Sequence, residues 1–305
     1  MLATVFSQVM ILMIMIAAGF FAAKAGIMTA EGARCCTDIA LIIATPCVII
    51  KSLIREYSRE TLKSLAFAFV ITLLVQVLMI LLSFLLLHSR DKARERVLRF
   101  GTIFANCGFM SLPLQQVILG EDGTLYGSAY VIMFNLVIWS YGVFLISGDK
   151  RYISPKKLLI NPGIIGLAIG LVIFIFSVPV PKTLYSAIDY ISALYTPLPM
   201  LIIGYHLAQN SIKTAFKDAK CLFAVLLRMM IYPLAVLGFL YLIGVRGTLL
   251  VSVIISVSAP VAAITTMFSA KYGADTPLSV DMVSLSTVAA AVTMPLVITL
   301  AQLLA

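Results

Sequence analysis

The residues best placed for chemistry are polar groups stranded in apolar sequence. Between Arg99 and Glu121, RFGTIFANCGFMSLPLQQVILGE, the residues Asn106, Gly108 and Ser111 interrupt a run long enough to cross a bilayer. Pro113 removes a backbone donor and crowds the carbonyl of Phe109 four residues earlier. Freed backbone groups at bilayer depth persist only where protein or a water-filled cavity satisfies them, so this stretch marks a place where something binds or passes. A second such stretch surrounds Pro260 in SVSAPVAAITTMFSAKYG, leaving carbonyls before the proline and starting a half-helix after it. Two breaks crossing at mid-membrane would aim two positive helix N-termini at one cavity, which suits a carboxylate; the matching C-termini would suit a cation.

The elements that must position these groups follow from composition. Of 305 residues, 62% are hydrophobic and only 11% charged, which implies an all-α polytopic membrane protein. The net charge of +9 does not indicate nucleic acid, because Lys and Arg fall in short segments between apolar runs, as topology signals do. Apolar runs extend over Leu2 to Ala23, Cys35 to Leu53, Leu62 to Leu87, Val97 to Leu119 and Leu125 to Ser147. After a basic hinge, GDKRYISPKK, they resume over Leu158 to Val178, Thr183 to Ala208, Phe216 to Ile243, Thr248 to Ala270 and Pro277 to Leu304. The first run lacks a basic leader and is long enough to stay as an uncleaved span.

The expectation is therefore ten transmembrane helices, in a first repeat at 1–150, a cytoplasmic hinge at 151–157 and a second repeat at 158–305. Charge bias puts the connections after spans 1, 3, 5, 7 and 9 in the cytoplasm and both termini on the other side. Lys51, Arg55, Arg59 and Lys63, after span 2, go against that bias. Five spans per half force the second half to insert upside down, giving two inverted five-helix repeats. Prolines agree in position: Pro46 in span 2 answers Pro197 and Pro199 in span 7, and Pro113 in span 4 answers Pro260 in span 9.

Other groups have two readings each. Arg228, inside span 8, costs about 2.5 to 3.5 kcal/mol unless it snorkels or pairs. It either reaches the cytoplasmic face or serves as counter-charge to an acid substrate or to Asp281. Gly166 and Gly170 form a GxxxG on span 6, which serves either dimer contact or packing within one subunit. Five unevenly spaced cysteines and two histidines make neither a disulfide framework nor a zinc site. No HExxH or GxxxxGK[ST] occurs and the connections are too short for an extramembrane domain, so an enzyme is not expected. A channel lacks the repeated selectivity segments it needs.

The chain resembles the auxin efflux carrier family, part of a wider group that includes bile-acid-type sodium symporters. The matching fragments run in order: ATPCVI, ANCGFMSLPLQQVILGE, NLVIWSYGVFL, NPGIIGLAIG, PLPMLIIGYHLA, RMMIYPLAVLGFLYLIGVRG and APVAAITTMFSAKYG. The resemblance implies unwound, crossing spans 4 and 9, with spans 1, 2, 6 and 7 as a dimerising scaffold and spans 3–5 and 8–10 as a mobile transport domain. It puts the crossing at Ala105 and Asn106 in span 4 and at Pro260 and Val261 in span 9. With Cys107, Gly108, Asn135, Ala259 and Pro46 these form the expected substrate-binding set. Plant carriers place a proline where this chain has Ala105 and a polar residue where it has Val261, and they carry a long hinge. The implied function is transport of a small organic anion, such as a dicarboxylate or an auxin-like weak acid, across the cytoplasmic membrane by elevator-type alternating access, as a homodimer among lipids. No cofactor or metal is expected; the coupling ion, proton or sodium, is left open. A sodium-coupled symporter and a non-transporting receptor of the same fold are the alternatives.

Overall fold

The computed structural model describes residues 2–152, 160–209 and 215–305; the expected hinge at 151–157 lies outside the described residues from 153 onward. The chain folds into helices α1 (Leu2–Lys24), α2 (Ala30–Leu53), α3 (Arg59–Leu86), α4 (Lys92–Ile103) and α5 (Cys107–Ser147). There follow α6 (Pro162–Ile175), α7 (Lys182–Gln209), α8 (Ala219–Leu242), α9 (Gly247–Ser258), α10 (Ile264–Tyr272) and α11 (Thr276–Leu304). Among the described residues no strand forms, and the sole sheet-like feature is one isolated bridge, Ala105 to Val261.

Seven of these helices are long and apolar enough to cross a membrane, while α6 and α9 are shorter apolar helices. The ten expected spans do not map one to one. Span 4 divides between α4 and the start of α5, span 9 divides between α9 and α10, and α5 continues for 41 residues through what reads as two spans. The turn inside α5 is at Gly120, whose φ of 67 and ψ of −147 lie in territory that only glycine enters cheaply.

Prolines shape the long helices without ending them. The π turns at Ile39–Ala44, Cys107–Ser111 and Leu227–Ile231 each precede a proline by two residues: Pro46, Pro113 and Pro233. A proline cannot bond the carbonyl four residues back, so widening the preceding turn hands that carbonyl region to donors one residue further on. This is why Pro113 does not interrupt its span. The interruption lies upstream, over Phe104 to Asn106.

Helix α1 packs chiefly on the second half of α7, and α2 on α6. Gly166 and Gly170 serve the latter contact: a Cβ on Gly166 would meet the Pro46 Cα at 2.8 Å, and one on Gly170 the Leu53 Cδ1 at 2.6 Å. The GxxxG therefore packs within the chain. A second group joins α9 to α5 and α11, with α3 on α5 and on the second half of α8.

Polar contacts sort the connections onto two faces. On one face Arg94 binds Asp218 and lies 3.6 Å from Asp275, Arg96 donates to the Ser147 carbonyl at 3.1 Å, and Tyr152 meets Tyr272. There burial pushes the Asp218 carboxyl up, but the Arg94 guanidinium and the N–H groups of Cys221 and Lys220 outweigh it and hold the group below the usual carboxylate range. On the other face Arg55 binds Asp122 at 2.8 Å, Lys51 binds Asp189 at 2.5 Å, and the Gly247 N–H donates to the Ala305 carbonyl. The connection after span 2 thus lies with those after spans 4 and 8.

Candidate functional site

The centre of the molecule is a crossing of two interrupted helices. Asn106 N–H donates to the Pro260 carbonyl at 2.8 Å and Ala262 N–H to the Phe104 carbonyl at 3.0 Å, an antiparallel pair around Ala105 and Val261. Four helix ends converge here: the C-termini of α4 and α9 and the N-termini of α5 and α10. Each end carries backbone groups without partners inside its own helix, so the surroundings must supply them.

Arg228 supplies the C-terminal ends. Fully buried in α8, it donates from Nη1 to the Thr102 carbonyl at 3.1 Å, from Nη2 to the Val257 carbonyl at 2.5 Å, and from Nε and Nη2 to the Ala259 carbonyl at 3.1 Å. One guanidinium thus closes α4 and α9 together, placing a positive charge where both helix dipoles are negative. It does not snorkel to either face. Asp281 is not brought to it; that residue stands in the second turn of α11, beside Cys221.

At the N-terminal ends Asn106 occupies the cap position of α5, with φ −76 and ψ 51, and its side chain makes no capping hydrogen bond. Val261 N–H donates to the Ser286 hydroxyl of α11 at 3.0 Å. Ala105, Cys107, Ala259 and Val261 are buried, and Gly108 is half-buried. Ser111 and Gln115 then fasten α5 to α9: Ser111 donates to the Ile255 carbonyl, and the Gln115 amide to the Ser252 carbonyl and the Ser256 hydroxyl.

The remaining expected residues lie around this centre. Asn135 donates to the Val131 carbonyl in its own helix and accepts from Asn161 at 3.1 Å; Asn161 in turn caps α6 through Gly163 N–H. Four residues on from Asn135, Trp139, which was not among the expected residues, packs edge-on against Phe268 of α10. Pro46 packs its backbone against Gly166 of α6.

A cavity of about 510 Å³ opens between α2, the first part of α5 and α7, without reaching the crossing residues themselves. Lys51, Arg55, Glu121 and Asp189 line its outer part, and Leu112 and Tyr195, both buried, its inner end. Tyr195 stands between it and Gly108 in the first turn of α5. A Cβ on Gly108 would come within 2.7 Å of the Tyr195 hydroxyl, and Phe109 packs on the Tyr195 ring at 5.7 Å. Sequence reasoning missed Tyr195, Gln115 and Ser286. Gln115 sat in view within the SLPLQQ fragment, whereas Tyr195 carries no signal beyond its place before Pro197.

Comparison with known proteins agrees with this architecture. A sequence family described as Membrane transport protein matches residues 4–156 and 151–298. An uncharacterized transporter of Methanothermobacter thermautotrophicus is 24% identical over 296 residues, covering 94% of this chain and 95% of that one. One of Methanocaldococcus jannaschii is also 24% identical, over 289 residues, covering 92% and 93% respectively. With apolar helices throughout, a paired break at its centre and a family match along nearly its whole length, this chain belongs to the membrane transport protein family, the auxin-efflux-like carriers, as an integral multi-pass membrane protein.

Proposed function

We propose that the protein is a secondary carrier that moves a small organic anion, a dicarboxylate or similar weak acid, across the cytoplasmic membrane by elevator-type alternating access. The observation that carries the reading is the crossing itself. The N-termini of α5 and α10 meet at a backbone pair, Asn106 caps α5 with a side chain that makes no capping hydrogen bond, and a cavity reaches Leu112 and Tyr195 further along. Helix N-termini attract a carboxylate, and an asparagine that does not satisfy its own helix has donors to offer. The C-termini, which would attract a cation, are already answered by Arg228.

Ten spans in two inverted repeats accommodate both faces of the molecule, with α4 and α5, and α9 and α10, as its broken helices. The preference of α1 for α7 and of α2 for α6 supports a scaffold of spans 1, 2, 6 and 7. The contacts among α3, α5, α8, α9 and α11 support a moving transport domain. In this reading the scaffold also holds the homodimer, the face bearing Arg94 and Asp218 is cytoplasmic, and both termini lie on the opposite side.

Uptake into proteoliposomes tests the reading. The wild type is expected to show saturable counterflow of labelled malonate or succinate, and Asn106→Ala to lower it at least about tenfold, the loss that removal of one or two donors to a charged group brings. Conductance without saturation would make the protein a channel. Binding with no flux would make it a receptor, and unchanged transport by Asn106→Ala would move the site elsewhere.

A further inference from the structure

We infer that Tyr195 is the residue that closes the cavity against the helix crossing, and that access to Asn106 from that side requires its ring to leave. The inference deepens the carrier reading, and its functional meaning rests on that reading; the geometry does not.

Three observations converge on this ring. Tyr195 lines the cavity yet is only 3% exposed, so its surface is spent on the wall rather than on the opening. Its hydroxyl lies over Gly108, two residues past Asn106, so close that no side chain fits beneath it, and Phe109 holds the ring edge-on. Over Gly108, in the first turn of α5, the wall of the cavity is therefore the Tyr195 side chain, with Leu112 beside it. Cys107, next to Gly108 in the chain, is buried.

The backbone under Tyr195 is suited to moving it. Helix α7 loses regular helical form over Leu194 to Thr196, between segments ending at Ala193 and starting at Pro197. Pro197 and Pro199 withhold two N–H groups from that turn, so rotating it breaks fewer hydrogen bonds than rotating a continuous helix. Opposite stands Thr45 of α2, whose hydroxyl neighbours that of Tyr195 and which follows the π turn Ile39–Ala44. The ring thus sits where irregular turns of α2 and α7 face the start of α5. A small organic acid entering past Lys51 and Arg55 would reach this ring before any part of the crossing.

Cys107 provides a reporter that needs no substrate. Purified protein in lipid nanodiscs is treated with a charged methanethiosulfonate, and modification of each cysteine is followed by peptide mass spectrometry. Tyr195→Ala is expected to raise the Cys107 rate at least about tenfold over wild type, because modification follows access to the thiolate. Tyr195→Phe, which keeps the ring, is expected to stay at the wild-type rate. Buried Cys221 is the control for loosened packing; should it rise in parallel, the same comparison in Tyr195→Leu decides. No rise at Cys107 in the deciding variant overturns the inference, whatever the protein transports. A rise at Cys107 with no uptake of any acid by the wild type leaves the barrier in place and overturns the carrier reading instead.

Discussion

At the scale of single residues, Arg228 carries the largest structural consequence. Its fully buried guanidinium bonds carbonyls of Thr102, Val257 and Ala259, which belong to two helices far apart in sequence. Leaving a buried carbonyl without its donor costs about 1–3 kcal/mol, so three lost together threaten the crossing as a unit. Arg228→Leu is expected to lower the apparent melting temperature in detergent strongly, and Arg228→Lys to lower it less, because an ammonium keeps the charge but not the planar fork. Equal melting of Arg228→Leu and wild type would remove Arg228 from this role. The residue was conspicuous in the sequence as a charge within an apolar run, but its partners were not. Backbone carbonyls carry no residue label, and these become available only because two distant helices stop at the same point. Asn106 and Pro260 were legible for the opposite reason: their disruptive chemistry is written in their own side chains.

At the scale of elements, the helices are interrupted in two ways. Breaks at Phe104–Asn106 and Ala259–Ala263 end hydrogen bonding along the axis, while π turns before Pro46, Pro113 and Pro233 preserve it. Proline in the sequence announces both kinds equally, which is why Pro113 reads as a break and is not one. Close helix approach was likewise half legible. Gly166 and Gly170 signal a tight contact, but their spacing does not say with which helix, and the answer is α2 of the same chain. The contact also ranks the two glycines. Gly166→Ala drives a methyl into the Pro46 backbone, which cannot yield without separating α2 from α6, whereas the nearest atom to a Cβ on Gly170 is the Leu53 tip, which can change rotamer and leaves only the looser 3.1 Å contact with the Leu53 Cβ. Thermal denaturation is expected to show the greater loss for Gly166→Ala, in keeping with the ~1–3 kcal/mol typical of overpacking. The reverse order would refute the α2–α6 contact.

At the scale of the whole molecule, the clearest result is the sorting of connections onto two faces. The sequence left Lys51 and Arg55 as an anomaly against the charge bias, and their partners Asp189 and Asp122 account for it. These basic groups bridge α2 to α7 and to the turn after Gly120, and both line the cavity, so their position follows local pairing. Cysteines introduced singly by Asp122→Cys and Ala305→Cys are expected to react with an impermeant maleimide from the same side of the membrane, and Lys217→Cys from the other. Labelling of all three from one side would be incompatible with this arrangement. The order of apolar runs made the helical class readable, but neither the cavity nor its closure was, since both arise between surfaces that the sequence keeps more than fifty positions apart.

The bridge between Ala105 and Val261 has one more implication. Its two hydrogen bonds use the N–H groups of Asn106 and Ala262 and the carbonyls of Phe104 and Pro260. Residue 105 lends neither its N–H nor its carbonyl. A proline at that position, as the resemblance to the plant carriers implies for them, would leave both bonds standing. The fastening is made main chain to main chain, so the side chains it displays can be exchanged without undoing it. A fold fastened in this way holds its geometry through its main chain, so exchanges at residues 105 and 261 leave the joint between its two halves intact.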